Sequence, residues 1–345
     1  MKLNEKSLWQ NIKSEEYYPV YLIKGGEGYL KQKYANLLAD SVVPAGLWGF
    51  NYHKLDGDKT SVEEIADCAM ALPAMCEKTC VLIHDFDFAS LSESEKDTMT
   101  ELFSDPNETC VLVFWQDTRS FPSKTKAQKE LLKLIEKNGA VVDLDSRSHG
   151  DLVKFIGSEC KKQGKAISYR AAEYFLETVG EDMSNLVNEI DKVCNYATDE
   201  ITEKHIDEIS TKSLESTAFK MIDALMAGDY QSVFSSLSIL FEQKQEPMMI
   251  LGALVSTYTD MYRAKIVSKA GERPAVLKDY FPQAYKSDFK LKNAVRRSSG
   301  FSVGTLRASL ELLGEADKKL KSTSEDSKIV LEKLLVELGE VRRNA

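Results

Sequence analysis

The chain has 345 residues, of which 43% are hydrophobic and 29% charged, a composition that builds a core and excludes a disordered protein. That length exceeds what one hydrophobic core organises, so two or three domains are expected. With 45 Lys and Arg against 54 Asp and Glu, the formal charge is -9, which disfavours nucleic acid as the dominant partner.

The opening stretch MKLNEKSLWQNIKSEEYY scatters charges where a signal peptide would keep an apolar run, so a cytoplasmic location is expected. From there to Asp145, strand and helix patterns alternate. Strands are predicted at Tyr18–Lys24, Asn51–Leu55, Thr79–His84, Cys110–Trp115 and Ala140–Leu144. Several are continuously apolar and β-branched, as in strands covered on both faces. Ser61-x-x-Glu64 and Ser92-x-x-Glu95 read as capping boxes that open helices between them. This βαβ rhythm implies a mostly parallel sheet with helices on both sides.

After Asp145 the strand signal disappears. Residues 148–209 read as three or four short amphipathic helices, broken at Gly164–Ser168 and Gly180–Asp182. Longer helices follow at roughly 214–227, 229–243, 247–270, 286–299, 302–320 and 325–342, with Gly228-Asp229, Glu246-Pro247, Gly271–Pro274 and Ser299-Gly300 as stops. The apolar run Pro247–Val255 is far short of the ~18–20 residues of a membrane span and reads as the buried part of one of these helices.

Chemistry is sparse along this chain. Cys68, Cys76, Cys80, Cys110, Cys160 and Cys194 form no C-x-x-C pair and read as reduced structural thiols. His53, His84, His149 and His205 share no helical spacing, and no metal or cofactor is expected. The loop after the first long strand, in LIKGGEGYLKQKY, is where a nucleotide-binding domain would cradle phosphate with a Gly-rich turn, a Lys and a Ser or Thr. Here Gly25, Gly26 and Glu27 fill the turn and Gly28 opens the helix. The spacing is absent, and a glutamate stands where phosphate would sit. Asp85, just past the strand VLIHDFD, occupies the place of a magnesium-binding acid, but Phe86 follows where a water-polarising Glu would be needed. The pair suggests an ATPase-like fold without its catalytic equipment, and no catalytic residue is assigned.

Four stretches carry a resemblance. GEDMSNLVNEIDKVCNY (Gly180–Tyr196) places Met183, Leu186, Val187, Ile190 and Val193 on an apolar face, with Asn188, Glu189 and Lys192 read as polar. It resembles the G-x-D-[LM]-x-x-L-x-N-E-[IL]-x-K-[LV] signature of the δ subunit of the bacterial DNA polymerase III clamp loader. Thr217–Lys265 is similar to that family's F-x-[LM]-x-D-A-[IL]-x-x-G-D and x-x-P-x-x-I-L-x-x-L segments, ending in an Arg followed by a Lys. ADKKLKS (Ala316–Ser322) resembles A-D-x-x-[IL]-K-S. In the first third, YLIKGGEGYLKQKY and Phe50–Phe86 resemble Y-L-[IL]-x-G-x-E-x-Y-L and F-N-x-x-x-[LF]-D-G … A-x-x-L-P-[FM]-x-x-x-[KR]-x-[LV]-V. The likeness runs through essentially the whole chain in order.

The resemblance implies a degenerate AAA+ (RecA-like) α/β domain over residues 1–145, a helical lid over 146–209 and an all-α collar over 210–345. It further implies a subunit that grips the sliding clamp and stabilises its opened ring for loading on primed DNA, without hydrolysing ATP. Implied partners are the β clamp, the δ′ and γ/τ-type ATPase subunits, and primer-template DNA within the assembled complex. Polymerase activity then belongs to the holoenzyme, not to this chain. The gripping element maps to Leu72, Pro73, Ala74 and Met75. Relatives often carry a bulky aromatic pair there, so in this chain the contact energy shifts to Leu72 and Met75. The competing reading of these four is ordinary core beneath a loop. Two other functions are open: an ATP-hydrolysing motor-type AAA+ replication factor, and a nucleic-acid-binding protein using the basic run Lys286–Arg297.

Overall fold

The computed structural model describes residues 1–122, 125–282, 284–285, 288–322 and 325–343, with the side chains of 288 and 289 outside that description. The chain divides into two compact units, Met1–Arg147 and Ser148–Ala345.

In the first unit the elements are β1 (Lys2–Leu3), α1 (Glu5–Ser14), β2 (Val20–Lys24), α2 (Gly28–Val42), a 3-10 turn at Ala45–Leu47, α3 (Trp48–Asn51), β3 (Tyr52–Asp56), α4 (Val62–Met70), β4 (Thr79–His84), α5 (Glu93–Ser104), β5 (Cys110–Trp115), α6 (Lys126–Asn138) and β6 (Ala140–Asp143). The strands form one parallel sheet in the order β1-β6-β2-β5-β4-β3. The most apolar strands, β2, β4 and β5, lie in the interior of the sheet, as their lack of a polar face requires. Val20, Leu22, Val81, Ile83, Leu112 and Phe114 pack with Val62, Ile65, Met99, Phe103, Leu131 and Ile135 of α4, α5 and α6. The alternating set, Tyr21 and Ile23 among them, is equally buried. β1 escaped the sequence reading because two residues carry no periodic signal; it pairs with β6 through Lys2↔Val141 and Leu3↔Val142.

Because every strand runs the same way, the two rims of the sheet have different characters. The loops after β2 and β4 gather at the C-terminal rim, where α/β folds place their ligands. α3 and the loop after α4 lead into β3 and β4 at the opposite rim. Ser92 closes the expected capping box with Glu95 at 2.7 and 3.3 Å. Ser61 caps α4 through one arm of the box, accepting from the Glu64 N–H at 3.2 Å.

The second unit contains α7 (His149–Lys162), β7 (Ala166–Ile167), α8 (Tyr169–Val179), α9 (Met183–Tyr196), β8 (Glu200–Ile201), α10 (Glu203–Ile209), α11 (Leu214–Ala227), α12 (Tyr230–Glu242), α13 (Pro247–Lys269), α14 (Val276–Tyr280), α15 (Asp288–Ser298), α16 (Val303–Ser322) and α17 (Ser327–Arg343). The sequence expectation of no strands after Asp145 is corrected by β7 and β8, which pair in parallel over two residues each. Their hydrogen bonds join sequence-distant breaks between helices, a pairing that local patterning cannot register. The apolar run at the start of α13 is core in part: Ile250, Leu251 and Leu254 pack with Met221, Leu237, Leu306 and Leu334, whereas Met248 and Met249, expected buried, are exposed on the first turn. Gly228, at φ +74°, ends α11 in the left-handed conformation that glycine adopts without a Cβ penalty. No helix among the described residues is long and apolar enough to cross a membrane.

Candidate functional site

α4 stops where Pro73 dictates. Ala71 is extended (φ -62°, ψ 137°), in keeping with the absent amide hydrogen of Pro73 and the restriction it places on the residue before it. The segment from Ala71 to Lys78 carries no regular structure before β4 begins at Thr79. Leu72 is 80% exposed and Met75 is 90% exposed, so neither is core beneath a loop. Pro73 is half-buried and Ala74 exposed. Met75 has φ +62°, an uncommon left-handed state for a residue with a side chain and one that costs about 1 kcal/mol or more.

What holds the loop in that state is Asn51, which is fully buried. Its carboxamide oxygen accepts from the Ala74 N–H at 2.6 Å, and its NH2 donates to the Ala74 carbonyl at 2.8 Å and to the Leu47 carbonyl at 3.1 Å. Both backbone groups of Ala74, the residue before Met75, are thus tied to the end of α3. Two further bonds fix the flanks: Asn107 donates to the Ala69 carbonyl at 3.0 Å, and Lys78 to the Glu108 carbonyl at 2.6 Å. The loop is a stiff, apolar-tipped projection at the N-terminal rim.

At the C-terminal rim the phosphate-loop position is filled from within. Glu27 is the N-cap of α2, its carboxylate accepting from the Tyr29 N–H at 3.3 Å, while its own N–H donates to the Leu144 carbonyl at 2.9 Å. A side-chain anion therefore occupies the helix end that would receive phosphate. Gly25, at φ +125°, lies so close to the Leu144 backbone that a Cβ would overlap it. Lys31 is buried and directed at Asp117, at 3.3 Å from a carboxylate oxygen and 3.2 Å from the carbonyl.

Asp85 is likewise committed. Its carboxylate accepts from the backbone N–H groups of Asp117 (2.5 Å), Thr118 (3.1 Å) and Arg119 (3.3 Å), and from the Thr118 hydroxyl (2.6 Å). Burial opposes its charge, but the Thr118 hydroxyl and these backbone donors outweigh it and hold the carboxyl below the ordinary carboxylate range. The residue read as a degenerate magnesium position serves as the organiser of the loop after β5. All six cysteines are free thiols, and burial pushes that of Cys110 up to about 11.

In the second unit the motif residues hold the fold together. Asp182 caps α9, accepting from the Asn185 N–H at 2.8 Å. Glu189, expected on the polar face, is instead 2% exposed. It accepts from the Thr211 N–H at 2.9 Å and pairs with Lys192, whose ammonium also reaches the Thr211 hydroxyl at 3.1 Å. Glu189 and Lys192 together secure the segment that leads from α10 into α11. Asp223 pairs with Arg297 (3.2 and 3.3 Å), whose guanidinium lies 4.2 Å from the centre of the Phe219 ring. Asp229 caps α12 at 3.1 Å.

Of the basic run Lys286–Arg297, two of the four described cations are used internally. Arg297 is buried, and Lys290 pairs with Asp260 at 3.1 Å beside Tyr285, whose hydroxyl donates to Asp260 at 2.7 Å. Lys292 and Arg296 are exposed, and Lys286 lies outside the described residues.

Comparison with known proteins follows the same lines. Residues 21–145 match the family model for the DNA polymerase III delta subunit, and residues 215–338 match the model for that subunit's C-terminal domain. The DNA polymerase III subunit delta of Bacillus subtilis (strain 168) is 23% identical over 346 aligned positions, covering 98% of this chain and 97% of the relative. A probable DNA polymerase III subunit delta of Aquifex aeolicus (strain VF5) is 23% identical over 262 positions, covering 73% and 72%. The solved structure of the Bacillus subtilis DNA clamp loader delta protein superposes with a TM-score of 0.66 at 21% identity, covering 97% of this chain and 99% of that one. The chain belongs to the DNA polymerase III δ-subunit family.

As a δ-family chain it has the layout expected of it, a parallel six-stranded α/β sheet followed by helices. Within that frame the four residues Leu72–Met75 come together in one loop, while Glu27 and Asp85 take part in packing and capping. The sequence reading missed Asn51, which holds the loop, although it stood in the F-N segment of the δ resemblance. The sequence pattern predicts Asn51 as the first residue of a strand, whereas it ends α3 and β3 begins at Tyr52. The usable signal was an Asn where an apolar residue would extend that strand.

Proposed function

We propose that this chain grips the sliding clamp through Leu72, Pro73, Ala74 and Met75 and stabilises the opened ring, while a separate part of the chain joins it to the other loader subunits. The observation that carries the reading is the loop itself. Two large apolar side chains, 80% and 90% exposed, are presented at the rim of a rigid sheet by a buried asparagine. Soluble proteins seldom expose such a tip unless a partner covers it, and a tip held stiff before binding loses little entropy on docking.

The mechanism needs no ATP from this subunit. A protein that binds the open clamp more tightly than the closed one shifts the ring equilibrium by that difference in affinity alone. Nucleotide hydrolysis then falls to the γ/τ-type motor subunits, which expose or withdraw the tip; δ′ is a further partner, and primer-template DNA is met in the assembled complex. The Glu27 carboxylate at the start of α2 and the fully engaged Asp85 support this over the motor-type alternative. In the division of labour proposed here, residues 1–145 hold the clamp, 146–209 form the lid and 210–345 the assembly collar, in the cytoplasm. Co-elution of the purified full-length chain with its cognate sliding clamp tests the reading. A stable complex is expected, and independent elution at micromolar concentrations of both would refute it.

A further inference from the structure

The Leu72–Met75 loop is too small to be the whole of a specific interface. Burying Leu72 and Met75 removes roughly 200 Å² from water between them, taking the usual transfer energy per side chain and per unit area. A standard interface covers about 800 Å² on each partner, a patch roughly 30 Å across. Further surface at the same rim has to contribute.

The candidates are the exposed apolar side chains on the elements tied to the loop: Met70 at the end of α4 (63% exposed), and Trp48 (38%) and Phe50 (72%) on α3. Trp48 is already anchored, its indole N–H donating to the Val43 carbonyl at 2.9 Å and its ring lying 5.1 Å from that of Tyr52. Phe50 differs. Among the described side chains, only two phenylalanines are exposed, and the other, Phe281, is covered by the Arg263 guanidinium at 3.9 Å. Phe50 is also the residue next to Asn51, whose side chain holds both backbone groups of Ala74. The backbone that carries Phe50 and the loop are therefore fastened to each other through Asn51 before any partner arrives.

We propose that Phe50 is an aromatic anchor of the clamp-binding surface, inserting into an apolar pocket of the clamp beside the one that takes Leu72 and Met75. The inference rests on the clamp-gripping reading above. Aromatic side chains bury 150–250 Å² with few rotamers to order, which is why they dominate interface energetics. The area missing from the loop is partly supplied by this one ring.

The test is calorimetric titration of the full-length chain with its cognate sliding clamp, alongside thermal unfolding of each variant. Phe50→Ala should weaken binding by about tenfold or more, as for an interface hot spot, and leave the unfolding midpoint in place. Phe50→Glu, a charge at an exposed position, should keep the fold and weaken binding at least as much. Wild-type affinity in both variants, with Leu72→Ala impaired, would overturn the role of Phe50 and leave the loop assignment standing. If the wild-type chain fails to bind the clamp at all, the clamp-gripping reading falls and this inference with it.

Discussion

Replacing Leu72 and Met75 together by alanine separates a binding tip from a structural one. Each truncation removes about three carbon-sized groups, and burial of a CH2 contributes about 0.8 kcal/mol. Scaled by the exposure available to be buried, 80% and 90%, this gives about 2 kcal/mol for each side chain in a fully covering pocket. Neighbouring contacts in one hot spot do not add fully, so the expected loss for the pair is more than about 2 kcal/mol, or about thirtyfold in affinity. In the free protein the same side chains face solvent, and exposed substitutions of this kind fall within about 0.5 kcal/mol of neutral. Calorimetric titration against the cognate clamp should therefore show strongly weakened binding, with the unfolding midpoint almost unchanged. A much earlier melt, with normal clamp affinity in the remaining folded protein, would show that these residues support the fold and do not make the contact.

Four further outcomes are expected. Titration of the full chain with Mg-ATP should give no saturable heat, because the Glu27 carboxylate caps the helix that would take the phosphates; a micromolar dissociation constant, or turnover abolished by changing Asp85, would sink this. A fragment ending at Arg147, the boundary of the first compact unit, should retain clamp binding in a pull-down yet fail to reconstitute with the other loader subunits; loss of clamp binding by a folded fragment would count against the division of labour. Glu189→Ala should cost about 1–3 kcal/mol in urea unfolding by leaving the Thr211 N–H and Lys192 without their carboxylate, and an unshifted midpoint would contradict that assignment. Because the folded state holds the Asp85 carboxyl below its unfolded value, its contribution is complete above about pH 4 and is lost as pH falls through the depressed folded value. Asp85→Asn should thus be less stable than wild type at neutral pH by about 1.5–3 kcal/mol, with the gap closing in acid; a constant gap would refute the linkage.

Legibility in the sequence followed the range of the interactions involved. The parallel sheet was readable because β2, β4 and β5 are continuously apolar, a pattern that only two covered faces explain. Helix boundaries were readable at several local caps, as at Ser92, Asp182, Gly228 and Asp229, while the capping boxes of Asn4 and Thr125 went unread. Pro73 announced the end of α4 in the same way, since its ring restricts the residue before it. The family itself was legible for a related reason: many of its motif residues are caps, turn glycines and buried apolar positions, which the chain needs in order to fold.

Only the tertiary structure could decide which polar residues face inward and which apolar ones face out. Glu189 sits among polar neighbours in sequence, yet the segment carrying Thr211 folds over it and makes it a buried acceptor. Arg297 closes a basic run, yet Asp223, which approaches from α11, draws it out of solvent. Leu72, Met75 and Phe50 run the other way. Hydrophobicity alone would bury them, and they are left outside because Asn51 and Ala74, 23 positions apart, bond to each other and turn that rim outward. A hydrogen bond between distant segments leaves no periodic trace along either one, so the exposure of the tip is decided by the fold.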